Sequence, residues 1–177
     1  FFAQRQLVQK IMLNSLYGVL GLPSFRFYDV DNAEAVTLTG QTVIKTTEMI
    51  ANQYYSKNIG ETKDYNIYVD TDSVFFSAKP IIEKRYPHID MTDNTAMSKA
   101  ILPIADEVQV YINKMYDLYA QRIHNVNKHR FDIKQETIAK SAFWVTKKRY
   151  GQWIINDGGM SCNYFDQQVV NLLADNI

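Results

Sequence analysis

The sequence predicts an α+β fold: helices packed on one face of an antiparallel sheet. Three observations carry this expectation. Three long stretches place apolar residues at helical spacing. Residues Tyr65 to Ser77 read as a strand pair around the polar tip Asp70-Thr71-Asp72. The last third reads as strands that return through Asn156-Asp157-Gly158-Gly159, a strong hairpin signal. The order helix, helix, hairpin, helix, strands is that of an α+β domain.

The first helix is expected from about Gln4 to Leu20, with Val8, Met12, Leu16 and Val19 on one face. Gly21-Leu22-Pro23 stops it. A strand-like stretch, Phe25 to Tyr28, follows. The second helix is expected over Ala33 to Tyr54, with Val36, Gly40, Val43, Thr47, Ile50 and Tyr54 on its apolar side. Its threonines are poor helix formers, so packing must hold it. Lys79 to Asp93, with two prolines, reads as a loop. The third helix is expected from Thr95 to Ile123, burying Ile101, Ile104, Val108, Tyr111, Met115 and Leu118, with Pro103 as a place to kink. Arg130 to Ala139 and Ala142 to Ile155 read as strands, and Met160 to Phe165 as the return strand.

The 177 residues suffice for one domain with a sizeable core, and 46% hydrophobic with 21% charged residues is ordinary for a globular protein. Lys plus Arg equals Asp plus Glu at 19 each, which argues against a nucleic-acid binder held by bulk charge alone. A local basic patch beside an acidic site remains compatible with that balance. The single Cys162 permits no internal disulfide and no cysteine zinc cluster. His88, His124 and His129 have no metal-ligand spacing. No apolar stretch has transmembrane length, so no membrane partner and a reducing intracellular compartment are expected. The chain opens on Phe1 with a helical pattern already running, which reads as a piece of a longer chain.

Chemistry concentrates in Tyr68-Val69-Asp70-Thr71-Asp72-Ser73. Residues i and i+2 of extended chain point the same way, so Asp70 and Asp72 are expected to aim at one point. Two carboxylates desolvated together need a cation between them, which suggests a divalent metal at the tip. Asp-Thr-Asp alone is more often a plain turn, since Asp and Ser bond nearby backbone groups. On the first helix, Lys10, Asn14, Tyr17 and Gly18 share a face. They offer a phosphate-binding cation, an amide, an aromatic hydroxyl and an open backbone, or simply a solvated face. Lys147-Lys148-Arg149-Tyr150 combines three cations and an aromatic, which suits a phosphate backbone or an ordinary charged loop. Glu136 is a third carboxylate, on a strand that approaches the Asp pair or lies at an edge.

Order and spacing do what no single motif does. The pattern K-x-x-x-N-S-x-Y-G at Lys10–Gly18, then Y-x-D-T-D-S at Tyr68–Ser73, then K-K-R-Y at Lys147–Tyr150 resembles the family B DNA polymerases. The stretch from Phe25 to Gln41 looks most like the branch from T-even-type bacteriophages. The resemblance covers nearly the whole chain. It departs at Val69, where many relatives carry Gly, a change in strand packing and not in ligands. It also lacks the family's first aspartate block, D-x-x-S-L-Y-P, and its exonuclease D-x-E motif, both of which would lie upstream.

The resemblance implies that residues 1–22 are the C-terminal part of the fingers and residues 23–177 a partial palm running toward the thumb. It implies nucleotidyl transfer from deoxynucleoside triphosphates to a primer 3′ hydroxyl, with two magnesium ions about 4 Å apart. Asp72 would be a metal ligand, Asp70 its acidic neighbour, and Glu136 a further acidic palm residue. Lys10 and Asn14 would bind the triphosphate beside Gly18, and Tyr17 would sense the nascent pair. Lys147, Lys148, Arg149 and Tyr150 would hold the primer strand. The implied partners are primer–template DNA, deoxynucleoside triphosphates, the upstream part of the polymerase and a sliding clamp, in the cytoplasm of an infected bacterial host. Without the upstream block, the chain alone is expected to be catalytically silent and prone to aggregate. A non-catalytic nucleic-acid-binding palm module is the alternative. An isolated calcium loop fits poorly, because the EF-hand ligand pattern is missing.

Overall fold

The computed structural model describes residues 2–168 and has the expected α+β content: four helices and five strands. The chain divides into two units, residues 1–46 and 47–177.

In the first unit, α1 (Phe2–Leu20) is a regular helix whose apolar residues stay open. Leu7, Val8, Ile11, Met12, Leu13 and Leu16 are all more than half exposed. The Phe25–Tyr28 strand is not formed. Those residues make successive tight turns closed by Phe25 N–H to Leu22 O and Tyr28 N–H to Phe25 O. Alternating aromatics imitate a strand pattern, but Phe25 and Phe27 pack edge to face on each other within the turns. Helix α2 (Val30–Ile59) starts earlier than its apolar periodicity suggests, because Asp29 caps it by accepting the Asn32 N–H at 3.0 Å. Its threonines are accommodated by hydroxyls that bond back one turn, Thr42 to Leu38 O and Thr46 to Thr42 O, both at 2.8 Å.

The second unit holds the core. Tyr54 and Tyr55 from α2 pack with Tyr65, Ile81, Ile82, Met97, Ile101, Ile104, Ile138 and Ile155. β1 (Asn66–Asp70) and β2 (Ser73–Phe76) form an antiparallel hairpin. The expected loop after it contains a short helix instead, α3 (Lys79–Arg85). Pro80 sits in its first turn, where a missing N–H costs nothing, and Ile81 and Ile82 are both buried. Helix α4 (Asn94–His124) is capped by Asp93 and ends at left-handed Asn125, running through Pro103. Its buried stripe follows the expected residues as far as Tyr111, which packs partly buried on the core, and then runs through Ile112, Tyr116 and Ala120, leaving Leu118 exposed. Tyr116 is drawn inward by the Thr47 hydroxyl, at 2.5 Å from its own.

Residues 130–136 are not a strand. Their backbone is satisfied by α4 side chains: Asn113 bonds both N–H and carbonyl of Ile133, and Gln109 accepts the Gln135 N–H. β3 (Thr137–Thr146), β4 (Arg149–Asp157) and β5 (Met160–Gln168) make a second, antiparallel sheet. The β3–β4 break falls at Lys147-Lys148, not near residue 140, while β4–β5 turns at Gly158-Gly159 as expected. α2, α3 and α4 share one core with Ile138 and Ile155 of the sheet.

Candidate functional site

The β1–β2 hairpin pairs Tyr68 with Phe75, Val69 with Val74 and Asp70 with Ser73. Tyr68 and Asp70 therefore lie on the same side of β1. Asp70 ends the strand, and Thr71 and Asp72 form the turn. Thr71 has φ 52, a left-handed backbone that is unusual for a β-branched residue. The chain is thus not extended between the two acids, so the same-side argument from strand geometry fails there. Their proximity comes from the turn's shortness: two residues of chain span at most roughly 7 Å. Thr71 donates its hydroxyl to Asp70 Oδ1 at 3.0 Å, and Ser73 donates to the Asp70 carbonyl at 3.1 Å. Asp72 is exposed at the tip.

The hairpin packs on the β3–β4 sheet through four aromatic rings. Tyr68, Phe75, Trp144 and Tyr150 are all mutually in contact, with ring centroids 5.5–6.3 Å apart. The phenol of Tyr68 accepts the backbone N–H of Lys148 at 2.8 Å. This bond brings the basic turn to the acidic hairpin. Lys147, Lys148 and Arg149 are exposed there, with Lys148 at φ 62. Tyr150 is different: only 7% exposed, it lies within the aromatic cluster and offers no free face to a ligand. Burial, then the nearby carboxylates of Asp70 and Asp166, push its phenol pKa up.

Glu136 is not brought to the pair, which corrects the expected three-carboxylate site. It precedes β3, and its carbonyl accepts the Gly158 N–H at the end of the sheet opposite the basic turn. Eight residues of chain, roughly 25 Å when extended, separate it from Trp144. Among the described residues, no three acidic, His or Cys side chains are grouped to hold a metal. Two carboxylates are still a sensible donor set for magnesium, which is commonly held by one or two carboxylates together with substrate phosphates. No helix among the described residues is long and apolar enough to cross a membrane.

In the first unit, Lys10, Asn14, Tyr17 and Gly18 are exposed along α1. A side chain built at Gly18 would meet nothing, so the helix backbone is open there. Two features were missed from sequence. Tyr68 and Trp144 join the hairpin to the sheet, and the placement of Tyr68 two residues before Asp70 was the available signal. Arg85 clamps Glu107 with two bonds, at 3.0 and 2.8 Å, while Tyr54 donates to the same carboxylate at 2.6 Å. Arg85, then Tyr54, holds the Glu107 carboxyl below its usual range.

Comparison with known proteins agrees with the motif reading. A family model described as DNA polymerase family B matches residues 1–163. The chain is 34% identical over 156 residues to the DNA-directed DNA polymerase of Enterobacteria phage T4, covering 82% of this chain and 17% of that protein. It is 30% identical over 162 residues to the DNA-directed DNA polymerase of Escherichia phage RB69, with the same coverage of each. The mouse DNA polymerase alpha catalytic subunit is 24% identical over 167 residues, 93% of this chain and 9% of that protein. The chain thus spans about a sixth of the length of its phage relatives. With 163 of its 177 residues matched by that family model, the chain belongs to DNA polymerase family B.

Proposed function

We propose that this chain carries part of the nucleotidyl-transfer centre of a DNA polymerase, with residues 1–22 belonging to the fingers and residues 23–177 to the palm. The observation that carries the reading is the contact between the acidic hairpin and the basic turn, made by the Tyr68–Lys148 hydrogen bond. A polymerase must hold a primer's phosphates beside the place where its 3′ hydroxyl reacts. Lys147, Lys148 and Arg149 neutralise those phosphates. Asp72, with Asp70 beside it, would hold magnesium, which when bound would supply positive charge against the negative charge developing on the phosphate oxygens as the hydroxyl attacks and pyrophosphate leaves. Lys10 and Asn14 bind the triphosphate of the incoming deoxynucleotide beside the open backbone of Gly18, and Tyr17 reads the minor-groove side of the new pair. Tyr150 supports the turn from beneath and makes no DNA contact. Glu136 has no part in the metal site.

Two carboxylates do not hold two metal ions in one geometry, so the site works with the rest of the polymerase chain and is inert by itself. The test is primer extension by a complete polymerase carrying this segment. Asp72→Ala should abolish extension and leave primer–template affinity unchanged, while Lys10→Ala should chiefly raise KM for the nucleotide. Full extension by Asp72→Ala would overturn the reading in favour of a palm module that only binds nucleic acid.

A further inference from the structure

We infer that Tyr68 is a positioning residue whose hydroxyl sets the basic turn in register with the acidic hairpin. The inference rests on the proposed function and deepens it. The ring of Tyr68 does one job and its hydroxyl another. The ring packs against Phe75, Trp144 and Tyr150, and a phenylalanine would pack there equally well. The hydroxyl's contact is with the Lys148 backbone N–H, a residue 80 positions away in the chain.

That contact falls where the backbone needs it. Lys148 sits at φ 62, a conformation that costs a side-chain-bearing residue about 1–2 kcal/mol. An amide held by a phenol oxygen keeps the residue there. The exposed Lys148 side chain then leaves from a fixed Cα, at a distance from the hairpin set by the length of one tyrosine. Because Tyr68 and Asp70 share a side of β1, that yardstick runs from the strand that carries the acid to the turn that carries the cations. Removing the hydroxyl should free the turn without loosening the aromatic cluster.

Tyr68→Phe tests this in a complete polymerase carrying this segment, using amide hydrogen exchange, thermal unfolding and anisotropy with a fluorescent primer–template duplex. The Lys148 amide should exchange faster while its neighbours in β3 and β4 do not. The Kd for the duplex should rise about three- to tenfold, the worth of one hydrogen bond. The Tm should stay within about 2 °C of the parent. Lys148→Ala should weaken binding in the parent and weaken it less in the Tyr68→Phe background. Unchanged Lys148 exchange, or a Tm drop of more than about 5 °C, would overturn the positioning role. Unchanged affinity in Tyr68→Phe while Lys148→Ala weakens binding would overturn it as well. If Lys148→Ala itself leaves binding unchanged, the proposed function of the basic turn fails, and the Lys148 exchange rate alone still decides whether Tyr68 fixes the turn.

Discussion

The three two-residue turns of the strands solve the same geometric problem with different residues. The β4–β5 turn uses Gly158 at φ 55 and Gly159 at φ 85. Space around both is open, so conformation alone asks for glycine there. The β1–β2 and β3–β4 turns instead place Thr71 and Lys148 at φ 52 and 62. Each strained residue is tied down by a hydrogen bond, Thr71 through its hydroxyl to the adjacent Asp70 and Lys148 through its amide to the distant Tyr68. A turn that serves only the fold takes the residue with no steric cost. The two turns that, on the proposed function, would carry side chains for a ligand accept strain and hold it with hydrogen bonds.

Substitutions can break this comparison. The largest effect is expected at Asp72: in a complete polymerase, Asp72→Ala should reduce extension to background, while Gly159→Ala should leave extension per folded molecule unchanged. Assays on matched amounts of folded protein decide it. On stability the order reverses. Gly159→Val should destabilise by about 1–2 kcal/mol in denaturant unfolding. Thr71→Gly should change stability by less than about 1 kcal/mol, because relief of strain opposes the greater chain entropy of glycine. A loss above about 2 kcal/mol for Thr71→Gly would show that the threonine is not strained. Lys148→Gly should keep the turn and lower the salt slope of duplex binding by about one.

The smallest effect lies outside the hairpin tip and the basic turn. Glu107 is held below the usual carboxyl range by Arg85 and then Tyr54. A depressed carboxyl stabilises the fold above its ordinary pKa, and that contribution is lost as pH falls through the folded value. Thermal unfolding should therefore weaken on acidification below the ordinary glutamate range, and Glu107→Gln should flatten that dependence. The carboxylate is half exposed, so solvent screens it and the change should be modest.

Local signals were legible in the sequence and remote ones were not. The Tyr65–Ser77 hairpin, α1, α4 and the glycine turn announce themselves through periodicity and turn chemistry within a few residues. α3 did not, because two prolines outweigh the two isoleucines that bury it. Residues 130–136 read as a strand because Phe131 and Ile133 alternate, while their hydrogen bonds come from Asn113 and Gln109 on another element. The same limit explains Glu136, whose position depends on where β3 begins. The aromatic cluster that joins the hairpin to the basic turn depends on contacts across some eighty residues, which no periodicity encodes.

The central claim is that Asp70 and Asp72 hold a divalent cation next to the turn that grips DNA. The direct measurement replaces magnesium with ferrous iron in the presence of primer–template and adds ascorbate and peroxide, so that hydroxyl radicals cut the backbone near the bound ion. Cuts are expected at residues 70–73 and again at 146–150, both lost in Asp72→Asn and both suppressed by excess magnesium. Cuts absent from either segment, or unchanged in Asp72→Asn, would contradict the claim.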